Sequence, residues 1–282
     1  MLEKIHRTGT EQLELGQSSS YDTHYNPERL FPIARAIKRK EIGINPCQLP
    51  FYGFDCWNHY EVSWLNEKGK PVIAMAEIIY DCATPCLIES KSLKLYFNSF
   101  NNTPFKNSEA IKQTIERDLS LRLGGNARVR ILSLKEKEFT LIQTAPTGEC
   151  IDDLDVTCSV YLVEPDYLSV KENKVEEILY SDLLKSNCLV THQPDWGSVQ
   201  ISYVGPQINR EGLLKYLVSF RNHNEFHEQC IERIFMDILT RCKPEKLSVY
   251  GRYTRRGGLD INPYRSTENV QLQGLNQRLI RQ

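Results

Sequence analysis

A faint internal repeat constrains this chain most. Tyr96-Phe-Asn-Ser99-Phe100-Asn-Asn102 aligns with Tyr216-Leu-Val-Ser219-Phe220-Arg-Asn222, and each copy leads through a short polar turn into an amphipathic helix. The first helix is predicted over about 109–121, with Ile111, Ile115 and Leu119 at i, i+4, i+8. The second is predicted over about 225–241, with Cys230, Ile231, Ile234, Phe235, Ile238 and Leu239 on one stripe. Gly124-Gly125 reads as the cap that ends the first helix. The aligned runs themselves are strand-like, and the alternating residues of 72–80 and 246–253 read as strands. Strands flanking a helix in each half predict an α+β protein. The polar stretch Thr144–Glu149 is the expected link, which divides the 282 residues into halves 1–146 and 147–282.

Bulk charge excludes some partners. The chain has 35 basic and 36 acidic residues and a net charge of −1, so it has no global electrostatic attraction for DNA, RNA or a membrane surface. No apolar run approaches the roughly 20 residues that cross a bilayer. The opening Met-Leu-Glu-Lys-Ile-His-Arg has no apolar signal core, and the expected location is the cytoplasm. Nine irregularly spaced cysteines fit free thiols in a reducing compartment. Cys82-Ala-Thr-Pro-Cys86 lacks a second ligand pair, so no metal site is expected. Neither a Rossmann fingerprint nor a Walker loop occurs, which argues against a nucleotide held by a doubly wound sheet. The basic run Arg35–Lys40 reads as a solvated helix face.

The segment Cys188-Leu-Val-Thr-His-Gln-Pro-Asp195-Trp-Gly-Ser198 carries the clearest chemical signal. It sets a possible thiolate seven residues before a possible proton donor, with Pro194 stiffening the backbone as part of a rigid turn. Sulfur can attack an electrophilic carbon while the acid protonates the atom that gains charge. Taken alone, a Cys such as Cys188 is more often a small buried hydrophobe than a nucleophile, and an Asp after Pro such as Asp195 is more often a turn former or helix cap. Two further segments bear on the choice: Glu89-Ser90-Lys91-Ser92-Leu93-Lys94-Leu95-Tyr96, and Phe226-His227-Glu228 at the start of the second helix.

Together these three segments closely resemble the nitrile reductases of queuosine biosynthesis, which reduce 7-cyano-7-deazaguanine with NADPH. Leu15-Gly16 to Pro32-Ile33, Phe51-Tyr-Gly-Phe-Asp-Cys-Trp57 and Arg256-Gly-Gly-Leu-Asp-Ile-Asn-Pro263 look like the long form of that family. The resemblance implies two tandem tunnelling-fold modules, each an antiparallel sheet with helices on one face. It implies a homodimer, NADPH as cofactor, and no direct contact with nucleic acid. Cys188 would attack the nitrile carbon to give a covalent thioimide, and Asp195 would protonate the nitrile nitrogen. Ile88, Glu89, Ser90, His227 and Glu228 would bind the purine. A carboxylate such as Glu228 matches the two parallel N–H donors of an amidine edge. Ser90, Lys91, Lys94, Arg256 and Gly257 would bind the dinucleotide, whose extra 2′-phosphate favours a site rich in cations. Lys91 and Lys94 read equally as the solvent side of an edge strand, and Glu228 as a carboxylate placed favourably at a helix start.

The repeat is unequal. Lys106 and Asn107 are matched to His227 and Glu228 of the second half, and the Ser-Lys pair is missing near Glu211-Gly212-Leu213. That division suits one active site built from both modules. His192 reads as a neighbour of the chemistry. If Cys188 and Glu228 border one small substrate, Cys230 comes near enough to form a reversible disulfide with Cys188. The competing readings are a pterin cyclohydrolase or synthase of the same fold, and a purine-binding module without activity. The first commonly needs a zinc ligand set that the sequence does not assemble.

Overall fold

The computed structural model describes residues 21–135, 142–270 and 276–282. Leu15, Gly16 and the opening Met1–Arg7, used above, lie outside the described residues. In chain order the elements are β1 (Pro32–Ala34), α1 (Arg35–Glu41), β2 (Tyr52–Leu65), β3 (Pro71–Asp81), β4 (Cys86–Ile88), α2 (Ser90–Asn98), α3 (Ser108–Leu123), β5 (Ala127–Leu132), β6 (Glu149–Cys150), β7 (Val170–Asn187), β8 (Pro194–Ile208), α4 (Arg210–Ser219), α5 (His227–Cys242), β9 (Lys246–Tyr253) and β10 (Leu259–Ser266). The protein is therefore a mixed α+β structure. It gathers into two compact units: Met1–Ile37 with Trp57–Lys137 and Arg256–Leu259, and Lys38–Cys56 with Glu138–Arg255 and Asp260–Gln282.

In the first unit β5, β3 and β2 lie side by side. β3 and β5 run antiparallel from Met75–Leu132 to Tyr80–Ala127. Ile111, Ile115, Leu119 and Leu123 of α3 are buried along one stripe, and Gly124 closes the helix with φ 70°. In the second unit the order is β10-β9-β8-β7-β6, antiparallel apart from the two-residue β6–β7 pair. Alternate residues of β8 and β9 (Val199, Ile201, Tyr203; Leu247, Val249) are buried. Gly251 continues that face beneath α5: a Cβ there would lie 2.6 Å from Ile231 Cδ1.

The aligned runs 96–102 and 216–222 are helix ends and short turns rather than strands. Their aromatic residues favour strands in general, but a side-chain latch closes each helix. Tyr96 donates to Asp118 and Tyr216 to Asp237, both at 2.7 Å. Ser99 and Ser219 donate back to the carbonyls of Tyr96 and Tyr216, both at 2.6 Å. The same serine oxygens accept the N–H groups of Asn26 and Glu164, both at 3.0 Å. Asn26 and Glu164 in turn cap the Pro-led turns Pro27–Arg29 and Pro165–Tyr167. α3 and α5 begin at Ser108 and His227, so Ser108 and Glu109, not Lys106 and Asn107, correspond to His227 and Glu228 in the repeat.

The basic run is only partly solvated. Arg35 is buried, donating to the Cys86 carbonyl at 3.3 Å and to Thr84 at 3.4 Å. Arg39 is buried in the second unit and grips Glu232 through two bonds of 2.9 and 2.6 Å. Arg265 holds the same carboxylate at 2.8 Å and Asp55 at 2.8 Å. Both guanidinium groups lie 5.6 Å from the centre of the Phe51 ring.

His59 of β2 is buried against Phe97, with ring centres 4.3 Å apart, and its Nδ1–H donates to the Gly258 carbonyl at 3.0 Å. Burial pushes its pKa down to about 4, against the pull of the Gly258 carbonyl. An unfolded chain binds a proton at this residue below about pH 6.5. The folded chain refuses that proton until about pH 4. Stability therefore falls as pH falls, with a slope from His59 of about 1.4 kcal/mol per pH unit. Urea unfolding between pH 6.5 and 5 should show a shallower slope for His59→Leu than for the parent. Equal slopes would reject this account.

Candidate active site

The nucleophile candidate sits at a hairpin tip in the second unit. The β7–β8 ladder ends with Ser186 opposite Asp195 and Asn187 opposite Pro194. The loop from Cys188 is closed by the Cys188 N–H donating to the Gln193 carbonyl at 2.8 Å and the His192 N–H to the Cys188 carbonyl at 3.0 Å. His192 takes the left-handed conformation, φ 56°, which tightens the turn. Pro194 starts a strand, so Asp195 is fixed by the ladder rather than by a turn alone. Asn187 ties the tip to the lead-in of α5. Its N–H donates to the His223 carbonyl at 2.8 Å, and its carbonyl accepts from the Glu225 N–H at 3.0 Å. Cys188 is half-buried, a position open to a reacting partner.

Helix α5 brings the other groups to the same place. His227 Nε2 lies 3.3 Å from the buried Asp195 carboxylate. The imidazole stacks on Tyr253 at 3.9 Å and 15°. Glu228 lies in the first turn of α5, where the helix dipole favours a carboxylate, and is only 2% exposed. At the matching position Glu109 is exposed on its helix surface. Cys230 is fully buried, and burial pushes its thiol up to about 12. Cys188 and Cys230 are both free thiols. Composition and spacing did not flag Tyr253, Ser186 or Glu225. Tyr253 ends an alternating strand and looked like core. Glu225 is buried and pairs with Lys38 at 3.4 Å, a contact that only folding creates.

The cationic set lies in the first unit. Ile88 is a buried residue at the end of β4. Glu89 caps α2, accepting from the N–H groups of Lys91 at 2.8 Å and Ser92 at 2.6 Å. Burial raises its carboxyl above the usual range despite those two donors. Ser90, Lys91 and Lys94 therefore sit on a helix, not on an edge strand, because the capped turn starts at Ser90. Arg256 and Leu259 close a tight turn, with N–H to carbonyl distances of 2.8 and 3.1 Å. Gly257 and Gly258 hold φ 50° and 77°. Lys94 packs on that turn: a Cβ at Gly257 would meet its Nζ at 2.4 Å. An ammonium against bare backbone beside Arg256 is a donor set suited to phosphate oxygens. Among the described residues no group of three or more His, Cys, Asp or Glu side chains could hold a metal ion.

A curated relative from Legionella pneumophila (strain Lens), named NADPH-dependent 7-cyano-7-deazaguanine reductase, is 66% identical over 281 residues, covering 100% of this chain and 99% of the relative. The chain belongs to that reductase family. Reductases of the same name from Azoarcus sp. (strain BH72) and Dechloromonas aromatica (strain RCB) are 54% and 56% identical, covering 93% and 90% of this chain and 93% and 89% of their own lengths. Residues 21–131 match the model of the nitrile reductase, 7-cyano-7-deazaguanine-reductase N-terminal region, and residues 194–271 match that of QueF-like proteins. The reductase segments thus include the Glu89–Lys94 run, Asp195, His227, Glu228 and Arg256, while Cys188 falls between them. A crystal structure of an archaeosine synthase QueF-Like in the apo form aligns with TM-score 0.31 and 16% identity, over 36% of this chain and 99% of that one. No helix among the described residues is long and apolar enough to cross a membrane.

Proposed function

We propose that this chain reduces the nitrile of 7-cyano-7-deazaguanine to the aminomethyl group of 7-aminomethyl-7-deazaguanine through a thioimide at Cys188. The observation that carries this reading is the tie between the Cys188 hairpin and the α5 start, which sets a half-buried thiol near the Asp195–His227 pair and the buried Glu228. The Cys188 thiol loses its proton to the Asp195–His227 pair, its sulfur adds to the nitrile carbon as one C–N π bond breaks, and Asp195 returns a proton to nitrogen. NADPH supplies the hydrides, two molecules per nitrile because nitrile to amine takes four electrons. Asp195 and His227 hold and move the protons that accompany them. After the first hydride the nitrogen lone pair expels the Cys188 thiolate, the Cys188–carbon bond breaks, and the imine left behind accepts the second hydride to give the amine. Glu228 reads the amidine edge of the purine, with Ile88, Glu89, Ser90 and His227 as further contacts.

Ser90, Lys91, Lys94, Arg256 and Gly257 hold the dinucleotide phosphates in this reading. The two halves are read as tandem tunnelling-fold modules, 1–146 and 147–282, of a cytoplasmic homodimer. The repeated Tyr–Asp–Ser latch supports a duplicated module.

Loss of NADPH absorbance when the cyano-deazaguanine is added tests the activity, and no loss would reject it. Lys91→Ala and Arg256→Ala should each raise the Michaelis constant for NADPH roughly 10–100-fold, the scale of a lost charge-assisted hydrogen bond. Covalent capture of substrate without NADPH should be unchanged. A variant that blocks capture instead belongs to the nitrile site.

A further inference from the structure

We infer that Tyr253 is a positioning residue for the reduction, and that its ring holds the His227 imidazole in line with Asp195. The inference rests on the reading of Asp195 and His227 as the pair that handles protons. Three observations point to it. The Tyr253 ring is fully buried and lies parallel to the imidazole, 3.9 Å away at 15°. His227 Nδ1 is buried with no hydrogen-bond partner among the described residues, so Nε2 on Asp195 at 3.3 Å is the polar contact that orients the ring. One such contact leaves the imidazole free to swing about its side-chain bonds, and a flat aromatic surface removes that freedom.

The third observation is that the sheet leaves room for this ring. Gly197 faces Tyr253 in the β8–β9 register. A Cβ at Gly197 would come within 3.2 Å of Tyr253 Cδ1 and 3.4 Å of Cε1. On the other edge, a Cβ at Gly251 would come within 3.3 Å of Tyr253 Cε2. Side chains at either position would press on the ring and tilt it. The Thr254 N–H donates to the Trp196 carbonyl at 2.8 Å, which fixes the strand end that carries Tyr253 to the strand that carries Asp195. The stack, the two glycines and this bond together set the plane in which Nε2 meets the carboxylate.

The hydroxyl plays a different part from the ring. It is buried beside Cys230 and Ser186, and the Asp195 charge also acts on it. The stacked contact is made by the ring, so positioning needs an aromatic ring at 253 and not a phenol.

The test uses the full-length enzyme with Tyr253→Leu, Tyr253→Phe, His227→Ala and the double change His227→Ala/Tyr253→Leu. Tyr253→Leu should lower turnover at least ~10-fold with little change in the Michaelis constant for the purine, and Tyr253→Phe should recover most of that loss. In the His227→Ala background, Tyr253→Leu should cost less than ~2-fold, because its effect passes through the missing imidazole. An equal cost in both backgrounds overturns the inference, since a purely structural role would be additive. Crystal structures supply a readout that does not depend on catalysis. Nε2 should stay on Asp195 in Tyr253→Phe and leave it in Tyr253→Leu, and an unmoved imidazole in Tyr253→Leu also overturns the inference. If His227→Ala alone leaves turnover intact, the proton-handling reading fails, and the crystal structures still decide whether Tyr253 positions the ring.

Discussion

Replacing Cys188 with alanine is expected to abolish turnover, by roughly 10⁴-fold or more, the scale for loss of a covalent nucleophile. Incubating the parent protein with 7-cyano-7-deazaguanine and no NADPH should add one substrate mass, and peptide mapping should place it on Cys188. The half-buried thiol at the hairpin tip can be reached, whereas Cys56, Cys82, Cys230 and Cys242 are buried. Burial also pushes Cys230 up to about 12, so it stays a thiol at neutral pH. Cys230→Ala should therefore keep the adduct and Cys188→Ala should lose it. An adduct on any other cysteine would overturn the mechanism.

The second large effect concerns stability. Glu232 is buried and receives both Arg39 and Arg265, with Asp55 as the second carboxylate. Glu232→Ala leaves two buried guanidinium groups facing one carboxylate. Breaking a buried ion pair from one side costs about 3–5 kcal/mol, because an uncompensated charge stays out of water. For a protein of this size that corresponds to a fall in melting temperature on the order of 10 °C. Glu232→Gln keeps an acceptor oxygen and should cost less. A melting temperature for Glu232→Ala within about 2 °C of the parent would show that water or local movement compensates the charge.

Those two residues also mark what a reader of the residues alone could and could not see. Cys188 and Asp195 stood out because residue type and spacing permit a nucleophile and an acid there, and the roles themselves came from the resemblance. Helices 109–121 and 225–241 were legible because apolar positions repeat at helical period, and the structure places them at Ser108–Leu123 and His227–Cys242. The runs at 96–102 and 216–222 were misread as strands. Their Tyr and Phe residues favour strands on average, whereas the Tyr–Asp and Ser–carbonyl bonds that end the helices involve residues up to 22 positions apart. Arg39 looked like one more surface cation because its partner, Glu232, is 193 residues away. Glu89 was noticed as part of a motif, but its hold on the Lys91 and Ser92 N–H groups appears only once α2 is built. Tyr253 gave no signal, since a strand-end tyrosine shows its use only when His227 lies upon it.

The double tie at Asn187 has a consequence for changing what the enzyme accepts. Its N–H and carbonyl join the hairpin tip to residues 223–225, just before the helix that presents His227 and Glu228. In the proposed mechanism the attacking atom and the recognition groups are thus mounted on one short truss of main-chain bonds. On that reading, substitutions of side chains can reshape the site but cannot lengthen the span between sulfur and carboxylate. A nitrile set on a longer or shorter arm from its ring would therefore meet the recognition groups or the sulfur, but not both. Widening the substrate range calls for inserting or deleting residues between 187 and 194, where the truss begins.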